Sequence, residues 1–346
     1  MKTNDASDTL PLSAIKVIEM HAIGPVPFAG MVLQQLGATV TRISPPTDPG
    51  LGVNHKPEFD LLNLGKPVVK LDLKTDTGQA ALHEELAGAD IMLEGFRPGV
   101  LERLNLAPAD LLVKHSRLVV GRLSGWGNQG AYASRAGHDI NYLALAGILH
   151  GIGSKEDPAV PLNVVGDFGG GAMYLLLGVM AKLIQRGSTG TGGLATTSIL
   201  AGSIGLTPMF FGLMAGGRWN TERANNLLDG ATPFYRTYRT SDGRHVAVGA
   251  LENKFFKALL EMTGLTSEFD AVKQYDTAHW PGLTELLTKT FAARPMAEWA
   301  SLSEQFDACV SPVLNFLEAA EHPHNQANDW YTHEPYAQPR AVIDFD

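Results

Sequence analysis

Apolar residues along the first half of the chain fall into short runs separated by longer amphipathic segments. Ile15 to Met20, Ala38 to Ile43, Val68 to Leu73, Asp90 to Leu93 and Leu118 to Leu123 are strand-length runs. Between them, Pro27 to Leu36 and Gly78 to Ala89 have helical spacing, the second placing Leu82, Leu86 and Ala89 on one face. Strand and helix in alternation predict a parallel sheet covered by helices. After residue 220 the texture changes. Phe234 to Ala250 reads as two strands around Ser241-Asp242-Gly243, a strong turn signal. Helical segments follow at Lys254 to Met262 and Met296 to Gln305, so strands then helices point to a separate, smaller α+β domain.

One stretch breaks the pattern. Gly187 through Gly217 holds no charged residue and is long enough to span a bilayer. Pro208, several glycines and the cluster Thr196-Thr197-Ser198 interrupt it, so a glycine-rich turn, a buried strand and a buried helix are expected instead, with no membrane. Met209 to Met214 suits a pocket lining or a core equally well.

Composition narrows the function classes. The 346 residues carry a formal net charge of -9, and no basic run offsets it, which argues against nucleic acid as a partner. Cys309 is the single cysteine, so no internal disulfide is expected and a cytoplasmic location follows. Met1 to Leu10 lacks the basic start and apolar core of a secretory signal. No Cys/His cluster offers a metal site. Gly190, Gly192 and Ala195 match a dinucleotide spacing but stand before a strand rather than after one, so no nicotinamide or flavin cofactor is expected.

Three segments carry candidate chemistry. Gly166-Asp167-Phe168-Gly169-Gly170-Gly171 precedes the apolar run Met173 to Ile184. It is expected to form a loop at a helix N-terminus, with Asp167 either capping that helix or serving as an acid that the glycines let a ligand approach. Ala136-Gly137-His138-Asp139-Ile140-Asn141-Tyr142 opens another helix, where His138 is either an ordinary polar residue or a proton carrier. Glu252 stands where a strand passes into a helix, a place where a carboxylate also favours the helix dipole.

Taken with Gly24-Pro25, Asp72-Leu73-Lys74, Phe96-Arg97-Pro98-Gly99-Val100, Asp229-Gly230, Pro233-Phe234-Tyr235, Ser311-Pro312-Val313 and His322-Pro323-His324-Asn325, these segments resemble the α-methylacyl-CoA racemases. Those enzymes belong to the family III CoA-transferase superfamily, and the likeness covers nearly the whole chain. It implies an α/β fold with a large Rossmann-like parallel-sheet domain, a smaller α+β domain and an interlocked homodimer. On this chain the large CoA-binding domain would take residues 1–200, completed by 320–346. A linker helix would take 201–224 and the small domain 225–319.

The resemblance implies that His138 and Asp167 face opposite sides of a substrate α-carbon, and that Glu252 of the partner subunit fixes the His138 ring. The acyl-CoA thioester is the implied partner, without further cofactor. Arg42, Lys66 and Arg97 match positions that meet its nucleotide and phosphates; Asp139, Tyr142, Asn163 and Gly169 match positions near the reacting centre. His138 separates the racemases from the transferases, which share only the aspartate. The implied alternatives are a CoA-transferase with Asp167 as nucleophile and a catalytically reduced acyl-CoA-binding protein. The chain departs from its relatives at Pro45, Leu64 and Pro67, where basic residues are usual, and at Thr196, where aspartate is usual. Fewer cations imply weaker, less salt-dependent CoA binding.

Overall fold

The computed structural model describes residues 10–47, 49–50, 52–53 and 56–345. The polar N-terminal stretch before Leu10 and the final Asp346 lie outside them. The chain divides into two compact units. The first comprises residues 10–149, 160–208 and 343–345, and the second 150–159 and 209–342.

In the first unit six parallel strands form one sheet. They are β1 (Lys16–Met20), β2 (Thr39–Ser44), β3 (Val68–Lys70), β4 (Ile91–Glu94), β5 (Val119–Ser124) and β6 (Gly193–Ser198), in the order β3-β2-β1-β4-β5-β6. The sequence pattern anticipates β1 to β5 within a few residues; β6, expected only as a buried strand in the uncharged stretch, buries Ser198 alone. Because side chains alternate along a strand, both faces must be apolar in a sheet covered on two sides. Val17, Val40, Ile91, Leu93 and Val119 pack on one face with Val26, Ala29 and Leu33 of helix α1 (Pro25–Gln35). Ile18, Ile43, Met92 and Val120 pack on the other with Leu82 and Leu86 of α2 (Asp76–Ala87). Two short helices, α3 (Val100–Arg103) and α4 (Pro108–Lys114), complete that second face through Leu101 and Leu111.

The strand order reverses between β1 and β4, and open α/β sheets bind ligands beyond the carboxyl ends of strands at such a point. The β1–α1 turn, His21-Ala22-Ile23-Gly24, holds one glycine, so a dinucleotide fingerprint is absent where the fold would need it. Helix α5 (Asp139–Leu145) follows β5, and a π-helical segment (Val164–Ala172) runs directly into α6 (Met173–Thr189). By length and composition, Val164–Thr189 is apolar enough to cross a membrane. Its Leu175, Leu176 and Val179 are buried in the core beside the sheet, while Val164, Met173, Leu177 and Ile184 are exposed.

The uncharged stretch resolves into a turn, strand β6 and two helices, α7 (Ile199–Gly205) and α8 (Pro208–Ala215). The expectation of a buried helix holds for Ile199, Gly202 and Ser203 of α7. It fails for α8, which has no buried residue and exposes Met209 and Phe211.

The second unit has its own core. Strands β7 (Tyr235–Arg239), β8 (His245–Gly249) and β9 (Val310–Pro312) form an antiparallel sheet. It packs with α9 (Asn253–Thr263), α10 (Trp280–Phe291) and α11 (Met296–Ser303) through Phe234, Phe256, Phe291 and Trp299. Residues 150–159 join this unit because Arg223 donates to the carbonyls of His150 and Ser154. The chain passes between units at residues 208 and 209 rather than 200 and 201, because α7 packs tightly on the π-helical segment. The expected return of 320–346 to the large domain is confined to its last few residues.

Candidate active site

Asp167 lies within the π-helical segment, not in a loop, and it caps nothing. Its carboxylate accepts a hydrogen bond from Asn163 Nδ2 at 3.3 Å. It is packed against Gly24, where an added Cβ would come within 3.4 Å of Oδ2. Stacking of Phe28 on Phe168, with centroids 4.5 Å apart, fixes α1 against the same segment. Burial pushes the Asp167 carboxyl up to about 6; the negative Asp139 adds to the rise, while Asn163 and the nearby His138 oppose it.

Two of the glycines around Asp167 are required by close packing. A Cβ on Gly166 would lie 2.3 Å from Asp139 Oδ1, and one on Gly170 would lie 2.6 Å from the Ser203 amide. Gly202 of α7 meets the Gly170 carbonyl even more closely, at 1.7 Å for an added Cβ. Gly169, matched by resemblance to a position near the reacting centre, has no free amide to offer a ligand. Gly169 stands five residues after Val164, so the π-helical ladder takes its N–H.

His138 precedes the first turn of α5 and is exposed. Its backbone N–H donates to Asn141 Oδ1 at 3.0 Å, which sets the entry of the chain into that helix. Two buried neighbours hold this segment. The Tyr142 hydroxyl donates to the Gly137 carbonyl at 2.7 Å, and its ring meets Trp126 edge-on at 4.6 Å. Burial and the charge of Asp167 raise the Tyr142 phenol to about 12, with Arg97 opposing. Tyr142 therefore braces the His138 turn with its hydroxyl already engaged. Asp139 is 7% exposed, and its Oδ1 accepts from the Asp167 amide at 2.7 Å.

The predicted CoA contacts divide. Arg97 follows β4 and is exposed; its loop is fixed by Phe96 N–H donating to Glu94 Oε2 at 2.8 Å. The buried Glu94 carboxylate also pairs with Arg122, which reaches Glu102 at 2.8 Å. Arg42, near the end of β2, places Nη2 3.1 Å from His21 Nδ1. Lys66 is different. Its ammonium has no exposed surface, pairing with Glu19 Oε2 at 2.7 Å and donating to the Pro27 carbonyl at 2.9 Å. Gly30 makes room for the pair, since a Cβ there would sit 1.8 Å from the Glu19 oxygen. Lys66 is thus a buried structural cation and does not reach a phosphate. Sequence reasoning missed Glu19, whose charge in an otherwise apolar strand was the available signal.

Glu252 belongs to the second unit, immediately before α9, where its side chain makes no capping hydrogen bond and is exposed. Among the described residues no group of three or more His, Cys, Asp or Glu side chains is arranged to hold a metal ion.

The CoA-transferase family III profile matches residues 12–346. The chain belongs to CoA-transferase family III. Within that family it is 41% identical over 316 residues to a mouse protein named alpha-methylacyl-CoA racemase, covering 91% of this chain and 81% of that one. A human protein of the same name is 39% identical over 318 residues, covering 92% and 81%. An acetyl-CoA:oxalate CoA-transferase from Acetobacter aceti is 27% identical over 95% of this chain and 87% of its own. A solved CAIB/BAIF family protein from Brucella suis superposes with a TM-score of 0.80 at 22% identity, covering 98% of this chain and 93% of that one, which shows the family III fold.

Proposed function

We propose that this family III protein interconverts the (R) and (S) forms of 2-methylacyl-CoA thioesters. One group removes the α-proton, the electron pair of that C–H bond moves into the thioester to give an enolate, and a second group delivers a proton to the opposite face. His138 and Asp167 are the pair. The observation that carries this reading is the link between the two segments: Asp139, next to His138, accepts the Asp167 N–H at 2.7 Å, and burial raises the Asp167 carboxyl to about 6.

An ordinary aspartate near 3.9 would sit about three units below neutrality, a cost of about 4 kcal/mol for acting as an acid. At about 6 the remaining deficit near pH 7 is one unit, or about 1.4 kcal/mol. An imidazole can serve as either acid or base. One proton shared by the pair then suffices for either direction. Asn163 gives one N–H to Asp167 and keeps a second for the developing enolate oxygen.

Arg42 and Arg97 are proposed to meet the CoA phosphates. A homodimer, in which Glu252 of the partner subunit hydrogen-bonds His138, and a cytoplasmic location complete the reading. The support for Glu252 is its exposed carboxylate, left uncommitted by the helix it precedes.

The test is deuterium incorporation at the α-carbon in heavy water. His138→Ala and Asp167→Ala are each expected to lower racemisation by roughly 10² to 10⁴. Undiminished racemisation in both variants would remove the pair from the mechanism. Hydroxylamine trapping of an Asp167 acyl anhydride, with CoA passing to a second acid, would instead establish transferase chemistry.

A further inference from the structure

The buried Asp139 carboxylate is not used by the proton transfer itself, yet it joins the two segments that carry it. Asp139 follows His138 directly, at the start of α5. Its Oδ1 takes the Asp167 N–H at 2.7 Å, and the Gly166 N–H bonds to the same carboxylate. Gly166 has no Cβ, and one would lie 2.3 Å from that oxygen. Oδ2 is buried without a hydrogen-bond partner among the described residues. An unpartnered buried carboxylate oxygen is costly, so a purely structural anchor would be served as well by a neutral acceptor.

Resting on the proton-transfer reading above, we infer that Asp139 is a positioning residue for Asp167. It ties the backbone of one proton carrier to the residue beside the other, fixing their spacing across the substrate. Its negative charge also opposes ionisation of the Asp167 carboxyl. The groups facing that carboxyl are Asn163 on its own segment, Asp139, His138 and Tyr142 at α5, and Gly24 before α1.

Such a role predicts an asymmetric defect. In a two-base racemase each group removes the proton from one enantiomer. Loss of one group therefore spares solvent exchange of the enantiomer served by the other, while racemisation stops. Asp139→Ala should reproduce the pattern of Asp167→Ala rather than that of His138→Ala. Racemisation should fall by 10² or more, exchange should persist for one enantiomer within tenfold of wild type, and KM should change less than threefold. Asp139→Asn keeps an acceptor oxygen and should recover most of the loss, with the acid limb of kcat/KM moved to lower pH. Gly166→Ala, which pushes on the intact carboxylate, should behave as Asp139→Ala does.

Amide hydrogen exchange at Gly166 and Asp167 gives a readout independent of the reaction. Protection in the wild type and its loss in Asp139→Ala are expected. Equal slowing of both enantiomers in folded Asp139→Ala and Gly166→Ala protein overturns the inference. A wild type without α-proton exchange overturns the racemase reading instead. In that case unchanged amide protection in Asp139→Ala would overturn the anchor as well.

Discussion

Asp139 and Asp167 share a functional group and one corner of the fold, but their oxygens meet different partners. Asp139 accepts backbone N–H groups and is almost fully buried; Asp167 accepts the Asn163 amide and lies beside Gly24. A carboxyl whose pKa is raised on folding favours its protonated form in the native state. Its stabilising share is full below the unfolded pKa near 3.9 and is lost as pH rises toward about 6. Asp167→Asn should therefore stabilise the protein at pH 7.5 by about 1–3 kcal/mol and by almost nothing at pH 4. Denaturant melts at the two pH values check this; an equal gain at both would contradict the ionisation account. Lys66 and Arg97 make the opposite contrast. Lys66→Met leaves Glu19 buried without its partner and should cost about 3–5 kcal/mol of stability. Arg97→Met touches an exposed side chain and should move stability by less than about 0.5 kcal/mol while raising KM for acyl-CoA. Both effects are read from urea melts and steady-state kinetics. The role of Lys66 was not legible from sequence, because a lysine near a CoA-binding edge and a lysine paired under it look alike until Glu19 and Gly30 are placed.

Periodicity served well for the elements. The two-face strands and the helices α1, α2, α6 and α9 follow from apolar spacing alone, since burial on a sheet demands it. The glycine run Gly166–Gly171 did not yield its meaning the same way. Glycine permits a loop, a ligand approach or a close helix contact, and sequence does not choose among them. The structure chooses the contact: the π-helical segment and α7 meet through Gly170 and Gly202. A π-helical turn at a reacting residue is itself a common marker of function, but no propensity rule announces it. Gly202→Val, which must displace the Gly170 carbonyl, should cost more than about 2 kcal/mol and lower activity in parallel. Thermal melts beside racemisation assays measure it, and a fully active, equally stable variant would contradict the packing. The turn at Ser241-Asp242-Gly243, by contrast, was read correctly because its residues permit few alternatives.

At the scale of the whole molecule, His138, Asp139, Asn163 and Asp167 lie in the first unit and Glu252 lies in the second. The proposed dimer makes Glu252 act on the partner's histidine. Co-expression of His138→Ala and Glu252→Gln chains carrying different tags separates the cases. A mixed dimer keeps one intact site only if the two residues come from different subunits, and should then recover up to half the wild-type activity. Mixed dimers no more active than either parent would place both residues in one subunit. The large parallel-sheet unit and the family were legible from strand-helix alternation and from the His138 segment. The unit boundary was not, because it depends on how α7 packs rather than on any break in composition.

The most direct test of the account follows one pure enantiomer of a 2-methylacyl-CoA in heavy water with the wild-type protein. Removal by one group and delivery by a solvent-equilibrated group on the other face predict that every inverted molecule carries one deuterium at its α-carbon. Inverted product that retains its original hydrogen, or CoA moving to an added carboxylic acid with the α-carbon untouched, would contradict it.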